Sequence, residues 1–164
     1  MNAIRLPDAE ATLALAARVA RALPATQEQP VYVALHGGLG AGKTTFVQGF
    51  LAALGVAGPV HSPTYALVET YEAGGRLLVH ADLYRLAQGA GFEELGLREL
   101  FAGRAVWLVE WPEKAGRQLP EPDLTVWFGV LTNGRECRID SGSSFGAEWL
   151  QAVGTPGSDP GSRA

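Results

Sequence analysis

The chain has 164 residues, a formal net charge of −4 and a single cysteine, Cys137. This length leaves room for one domain with a substantial core. The negative charge and the absence of any lysine-arginine run argue against a protein that holds nucleic acid by itself. A lone cysteine, expected to be a small strand residue, excludes an internal disulfide, and no apolar stretch approaches membrane-spanning length. We therefore expect a cytoplasmic protein without a membrane role.

We predict one domain over residues 1–150 and a disordered tail over residues 151–164. The prediction of a tail rests on residues 154–164, which are rich in glycine, serine and proline and contain no large apolar side chain. The predicted domain is close to the minimum size for a nucleotide-binding α/β domain, so a lid or second domain hardly fits.

Two elements are predicted near the start of the chain. Asp8 is the expected N-cap of a helix over residues 9–23, which ends before Pro24. We expect this helix to pack against the sheet, ahead of the first strand, through Leu13, Ala16, Ala17, Ala20 and Leu23. The next run, residues 31–35, is β-branched and aromatic without polar alternation, which is typical of a strand buried on both faces of a parallel sheet.

A glycine-rich segment then fits the pattern G-x-x-x-x-G-K-[ST] from Gly37 to Thr44. It lies between the predicted strand and an apolar helical pattern, which is the context that this phosphate-binding motif requires. Backbone amides of residues 38–44 are expected to form a concave nest at the positive end of the helix. Lys43 is expected to contact the β- and γ-phosphates, and the Thr44 hydroxyl to ligate Mg²⁺. The sequence therefore predicts a nucleoside triphosphate site with Mg²⁺, formed by Gly38, Leu39, Gly40, Ala41, Gly42, Lys43, Thr44 and Thr45.

The remaining elements are predicted from hydrophobic patterns and turn signals. Gly55 is expected to end the helix after the glycine-rich segment. In chain order we then predict a loop over residues 56–65, strands over 66–71 and 76–82, a short helix over 92–102, and strands over 105–109, 124–131 and 136–139. The turn segments 72–75 and 132–135 indicate antiparallel hairpins. The predicted fold is α/β of the P-loop NTPase type, with a mixed sheet, a mostly parallel core, antiparallel hairpins and flanking helices.

Two acids are predicted at carboxyl ends of strands, where open α/β sheets bind their ligands. Asp82 ends one strand, and Glu110 follows the apolar strand over residues 105–109. We expect one acid to hold magnesium together with Thr44, directly or through water, and the other to orient the attacking water. The sequence does not show which of Asp82 and Glu110 takes which role. The alternative for each acid is a solvated carboxylate at the end of a strand, without a role in the site.

Other polar residues each have two interpretations. Thr64, in the loop segment 62–65, is either a switch hydroxyl that senses the γ-phosphate or a residue that caps a turn. Arg85 and Arg135 are either cations that neutralise transition-state charge or partners in surface ion pairs. No histidine has a second ligand at metal spacing, so we interpret all three as structural: His36, His61 and His80.

The chain carries four segments in order, namely GGLGAGKTT at residues 37–45, SPTY at 62–65, HADLYR at 80–85 and VEWP at 109–112. Together they resemble the bacterial tRNA threonylcarbamoyladenosine biosynthesis ATPase family, TsaE, over residues 6–139. The resemblance implies an ATPase that works with a transferase subunit and that subunit's dimerising partner. In the family those partners place a threonylcarbamoyl group on the adenosine beside the tRNA anticodon, so this chain would meet tRNA only indirectly, through the complex.

The resemblance also implies roles for individual residues. The implied catalytic residues are Lys43, Thr64, Asp82 and Glu110, with Glu110 at the magnesium site and Thr64 as the switch. Further nucleotide contacts are implied for Thr12, Trp111 and Arg135. The alternative for Trp111 is a core position at the end of a strand.

Two positions depart from the family pattern. Gly38 stands where members usually carry aspartate, which leaves the backbone cradle intact and removes any partner contact by that carboxylate. Ala81 replaces an aromatic residue, which is expected to change packing and not chemistry.

Three other functions share the glycine-rich segment. A small-molecule or nucleoside kinase is the first, although the sequence shows no evident lid with clustered arginines. The second is a nucleotide-gated protein-binding module, in which ATP stabilises a docking surface and residues 62–65 become ordered on binding. A GTPase is disfavoured because the chain has no Asn-Lys-x-Asp motif.

Overall fold

A computed structural model describes residues 3–63, 66–86 and 102–154. In these residues seven strands form one mixed sheet, flanked by three α-helices. The strands are β1 Ile4–Leu6, β2 Val31–His36, β3 Val68–Ala73, β4 Arg76–Asp82, β5 Val106–Glu110, β6 Leu124–Leu131 and β7 Gly134–Ser141. The helices are α1 Ala9–Arg21, α2 Lys43–Ala53 and α3 Ser144–Val153.

The sheet has the strand order β1-β7-β6-β2-β5-β4-β3. Its four central strands, β6, β2, β5 and β4, are parallel to one another, and the outer pairs β1–β7, β6–β7 and β3–β4 are antiparallel. The predicted mixed sheet with a parallel core is therefore confirmed. Its register aligns Leu35 with Glu110 and Asp82 with Glu110, so the ends of β2, β4 and β5 meet at one edge of the sheet.

The two faces of the sheet carry separate apolar clusters. In β5, Val106 and Leu108 belong to the cluster that contains the helices, and Trp107 and Val109 belong to the opposite one. This alternation follows from the two-residue repeat of a strand. A strand that is apolar at every position is therefore buried on both faces, as the sequence of β5 predicted.

The first helix is shorter than predicted and turned about its axis. Asp8 caps it, since its side chain accepts a hydrogen bond of 2.8 Å from the amide of Ala11. The buried face consists of Thr12, Leu15, Ala16, Val19 and Ala20. The predicted face was therefore partly wrong: Leu13 is 37% exposed, and the polar Thr12 takes a core position. The helix packs chiefly against α2.

The structure contains two elements that were not predicted from the sequence. Strand β1 has only three residues and exists through its pairing with β7. Helix α3 is capped by the Ser143 hydroxyl and anchored by Trp149, whose indole donates a 2.8 Å hydrogen bond to the carbonyl of Val19. It includes residues 151–153 of the predicted tail, and residues 155–164 lie outside the described residues, as do residues 92–101 of the predicted short helix.

Both predicted hairpins are present. The first turns at Gly74 and Gly75, which take φ of 58° and 70°. The second has Thr132 and Asn133 between its paired strands, and β7 begins at Gly134 with φ 101°. Glycine is favoured at such positive φ because it has no Cβ.

Burial separates Cys137 from solvent. It is fully buried in β7, and this burial raises the pKa of its thiol to about 12. Such a thiol is inert at neutral pH, in agreement with a packing role.

Within the described part of the chain, no helix has both the length and the apolar character needed to cross a membrane.

Close packing of α1 on α2 gives a stability prediction. A Cβ added at Gly49 would lie 2.7 Å from the carbonyl oxygen and 2.9 Å from the Cα of Leu13. Gly49→Ala therefore has to push two backbones apart, and we expect it to lower the free energy of unfolding by about 1–3 kcal/mol, measured by urea denaturation. Helix propensity alone would change it by about 1 kcal/mol in the opposite direction.

Ala52→Gly, at an exposed position of the same helix, is the matched control. It should lower the free energy of unfolding by about 1 kcal/mol, because glycine has a lower helix propensity than alanine and the substitution introduces no clash. A Gly49→Ala variant as stable as the unmodified protein would contradict the close packing.

Candidate functional site

Most of the predicted functional residues line one cavity of about 330 Å³, and Gly38 is among the predicted residues that do not. Its walls are residues 39–45 of the glycine-rich segment, the acids Asp82 and Glu110, and Ser62, Trp111 and Arg135. A larger cavity of about 760 Å³ lies between α1, α2 and residues 58–61. Among the described residues that line it, Glu10, Arg21 and His61 are the titratable ones. Because phosphate chemistry needs converging charge, the smaller cavity is the candidate site.

The segment over residues 37–44, below called the phosphate loop, has the backbone that its glycines allow. Gly37, Gly40 and Gly42 take φ of 141°, 72° and 113°. A Cβ at Gly37 would lie 2.7 Å from the carbonyl oxygen of Phe128 in β6. Helix α2 begins at Lys43, and its N-cap, Gly42, offers no side chain to the first amides. These amides are therefore available to an anion.

Lys43 lies in the floor of the cavity and is 4% exposed. Its Nζ donates hydrogen bonds to the carbonyls of Gly37, at 2.7 Å, and Gly38, at 2.9 Å. The Trp111 ring centroid lies 4.0 Å from the same atom. Burial lowers the pKa of Lys43, and the carboxylates of Glu110 and Asp82 oppose this shift.

Thr44 and Glu110 contact each other across the cavity. The Thr44 hydroxyl lies 2.9 Å from Oε1 and 3.1 Å from Oε2 of Glu110, and it donates its proton to this carboxylate. Donating the proton leaves the lone pairs of Thr44 Oγ1 available to a cation. A hydroxyl and a carboxylate are both oxygen ligands, which Mg²⁺ prefers.

No group of three or more His, Cys, Asp or Glu side chains forms a metal cage in the described residues. A magnesium ion at Thr44 and Glu110 would therefore need phosphate oxygens and water as its other ligands. This is the usual way in which nucleotide enzymes hold Mg²⁺, so the residues present fit the ion.

Asp82 makes different contacts from Glu110. The Ser62 hydroxyl donates a 2.5 Å hydrogen bond to Oδ2 of Asp82, and the amide of Tyr84 donates to Oδ1 at 3.1 Å. Asp82 thus connects the end of β4 to the loop that leads towards Thr64. Thr64 itself lies outside the described residues.

Trp111 is half-buried in the wall of the cavity, where its ring lies 5.0 Å from the ring of Tyr84. Its backbone is left-handed, with φ 57° and ψ 48°. For a bulky residue this conformation is strained, and strain of this kind concentrates at functional sites. The Trp111 amide donates to the carbonyl of Leu35 at 3.3 Å, which ties it to the end of β2.

Arg135 covers the phosphate loop from the side of β7. A Cβ added at Gly42 would lie 2.7 Å from Nη1 of Arg135, and the same nitrogen donates to the Thr12 hydroxyl at 3.5 Å. Thr12 is fully buried and does not line the cavity, so it reaches the site through Arg135. Arg85 does not line the cavity either.

Sequence reasoning missed two residues at the site, Ser62 and His80. His80 is fully buried, and its Nε2 lies 2.9 Å from Oε1 of Glu110. The available signal was the His-x-Asp spacing, because residues two apart in a strand share a face. By contrast, His36 lies outside the cavity, where it stacks on Trp127 with ring centroids 4.3 Å apart.

Comparison with known proteins gives one consistent result. A family model described as "Threonylcarbamoyl adenosine biosynthesis protein TsaE" matches residues 6–137. The chain is similar to the tRNA threonylcarbamoyladenosine biosynthesis protein TsaE of Haemophilus influenzae, with 39% identity over 76% of this chain and 79% of that one. The corresponding Treponema pallidum protein is 41% identical over 65% and 78% of the two chains. The crystal structure of Bacillus subtilis YdiB matches with a TM-score of 0.75 and 30% identity, covering 92% of each chain.

The position of Arg135 leads to a binding prediction. Arg135→Ala removes a cation from the edge of the phosphate loop. The sequence predicts that this loop binds a nucleoside triphosphate with Mg²⁺, and we expect the variant to weaken such binding, measured with Mg-ATP, about tenfold, the cost of one charge-assisted contact. Isothermal titration calorimetry measures this change. Arg138→Ala is the control, since Arg138 lies on the same strand, pairs with Asp140 and is exposed. Equal losses in the two variants would show a general charge effect.

Proposed function

This chain belongs to the TsaE family of threonylcarbamoyl adenosine biosynthesis proteins, and we propose on that basis that it is a magnesium-dependent ATPase in tRNA modification. The family assignment confirms the resemblance in the four sequence segments. The observation that carries the ATPase proposal is the contact of Thr44 with Glu110 beside an uncapped helix N-terminus. This contact supports the proposal, because an anion at the helix N-terminus and a cation between the two oxygen ligands would lie side by side.

The phosphate loop supports the proposal of polyphosphate binding. The amides at the start of α2 would hold phosphate oxygens, and Arg135 would add a positive charge from the side. Lys43 now donates to the loop carbonyls, and it would turn from them towards the β- and γ-phosphates. Burial lowers the pKa of Lys43, and a bound phosphate group would oppose this by stabilising the charged ammonium.

The two acids would take separate roles. Glu110, which contacts Thr44, would hold the magnesium ion, directly or through water. When bound, this ion supplies charge neutralisation at the phosphate oxygens. In the described residues, Asp82 accepts a hydrogen bond from Ser62, whereas Thr44 donates to Glu110. Asp82 would therefore orient the attacking water and the segment that leads to Thr64.

The size and charge of the chain favour a subunit role. A net charge of −4 disfavours a chain that binds tRNA by itself. We propose that it acts in the cytoplasm with the threonylcarbamoyl transferase subunit and that subunit's dimerising partner. It would meet tRNA only through this complex, and its ATP hydrolysis would permit turnover.

Removing the lysine or the glutamate separates binding from chemistry. Lys43→Ala should lower kcat for ATP hydrolysis about 100-fold or more, because it removes the charge that faces the reacting phosphates. Glu110→Ala should lower kcat by a similar factor with a smaller change in ATP affinity. Steady-state hydrolysis and calorimetric titration measure the two quantities.

Glu72→Ala, at an exposed position of the outer strand β3, is the control and should leave both quantities unchanged. Undiminished hydrolysis by Lys43→Ala would refute the loop assignment. Parallel losses of affinity and kcat in Glu110→Ala would remove its separate role.

The main test is Mg-ATP hydrolysis by the purified chain, alone and with the two partner subunits. We expect weak activity alone and at least a severalfold increase in the complex, abolished by Lys43→Ala. Activity that ignores the partners would contradict the subunit role. ATP consumption that requires an added small acceptor, with a phosphorylated product, would identify a kinase. Partner binding that needs ATP but not its hydrolysis would identify a nucleotide-gated module.

A further inference from the structure

We propose that His80 is a positioning residue for Glu110, holding the carboxylate in the orientation that the magnesium site uses. This inference rests on the proposed function, since it concerns the same site. His80 does not line the cavity and would touch neither nucleotide nor metal. It acts through the one hydrogen bond that its imidazole makes with Glu110.

The geometry fixes one carboxylate oxygen from two sides. His80 Nε2 lies 2.9 Å from Oε1 of Glu110, and Thr44 Oγ1 lies 2.9 Å from the same oxygen. The Thr44 contact to Oε2 is longer, at 3.1 Å. With two donors directed at Oε1, Oε2 retains more acceptor capacity for a cation or its water. The two donors also come from different elements, β4 and α2, so the carboxylate cannot rotate without losing one of them.

The other ring nitrogen of His80 identifies the tautomer. In the described residues, Nδ1 of His80 is the buried side-chain polar atom without a hydrogen-bond partner. A proton on Nδ1 would be a buried donor with no acceptor, which is costlier than an unused lone pair. The proton therefore belongs on Nε2, where Glu110 accepts it.

Packing does not account for a histidine at this position. Leu78, two residues away on the same face of β4, is apolar and fully buried. An apolar side chain would fill the space without leaving Nδ1 unpaired. What the histidine provides is its hydrogen bond to Glu110. Hydrogen-bond partners of this kind orient carboxylates that bind metals.

Two amide variants test the contact with matched chemistry. The side-chain nitrogen of His80→Gln reaches the position of Nε2 and can donate to Glu110. His80→Asn is shorter, and its nitrogen reaches only the position of Nδ1. Both bury an amide in the same strand, so a thermal unfolding midpoint for each gives the purely structural effect of the substitution.

Two readouts report the magnesium site. The first is the Mg²⁺ concentration that gives half-maximal ATP hydrolysis, with kcat and KM for ATP measured separately. The second is the affinity for ADP in Mg²⁺ and in EDTA, which needs no hydrolysis. We expect His80→Asn to lower kcat and to raise the Mg²⁺ concentration for half-maximal hydrolysis. Each change should be about tenfold or more, the usual effect of losing such a partner. Affinity for ADP in EDTA should stay the same, and His80→Gln should recover most of the loss.

If both folded variants keep the Mg²⁺ dependence of the unmodified protein, or lose it equally, the positioning role is overturned. If the unmodified protein hydrolyses no ATP with or without partners, the proposed ATPase function fails instead. The Mg²⁺-dependent gain in ADP affinity then still decides the role of His80: a gain lost in His80→Asn and kept in His80→Gln supports it, and any other pattern overturns it.

Discussion

The parallel register of β2, β5 and β4 determines where each group of the candidate site lies. Leu35, Glu110 and Asp82 are level across these three adjacent strands. The phosphate loop begins two residues after Leu35, so it emerges beside both acids. A shift of one residue in the pairing of β5 would turn Glu110 to the opposite face of the sheet. Its contacts with Thr44 and His80 would then be lost together.

The site concentrates polar groups at the edge of an apolar core. Lys43, Glu110 and His80 are all at most 4% exposed, and buried ionisable groups destabilise a fold unless they are paired. Glu110 accepts from Thr44 and His80, and Lys43 donates to loop carbonyls. The left-handed backbone of Trp111 adds local strain. The large apolar clusters on both faces of the sheet offset these costs.

Local signals in the sequence were enough for the centre of the fold. The phosphate loop, strand β2 and both strand-end acids were predictable because each depends on a few neighbouring residues. The face of α1 was not, because Thr12 is a polar residue in a buried position. The three-residue β1 depends on pairing with β7, which is distant in sequence.

The contacts within the site were less accessible from the sequence. Whether Glu110 meets Thr44, or His80 meets Glu110, depends on the lateral placement of β4, β5 and α2. Pattern reasoning placed both acids at one edge and left their roles undivided. The geometry separates them by their contacts, with Glu110 at Thr44 and Asp82 at Ser62. Roles in binding and catalysis remain predictions for the residues concerned.

The placement of Trp111 beside Lys43 allows changes in the site to be followed by tryptophan fluorescence. Of the four tryptophans, Trp107 and Trp149 are fully buried in the core, and Trp127 is 42% exposed on the sheet outside the cavity. The ammonium group of Lys43 lies 4.0 Å from the centroid of the Trp111 ring. The electric field of a cation at that distance shifts indole emission, so a movement of Lys43 towards phosphate would change the intrinsic fluorescence. The protein thereby carries its own spectroscopic label for the state of the phosphate loop.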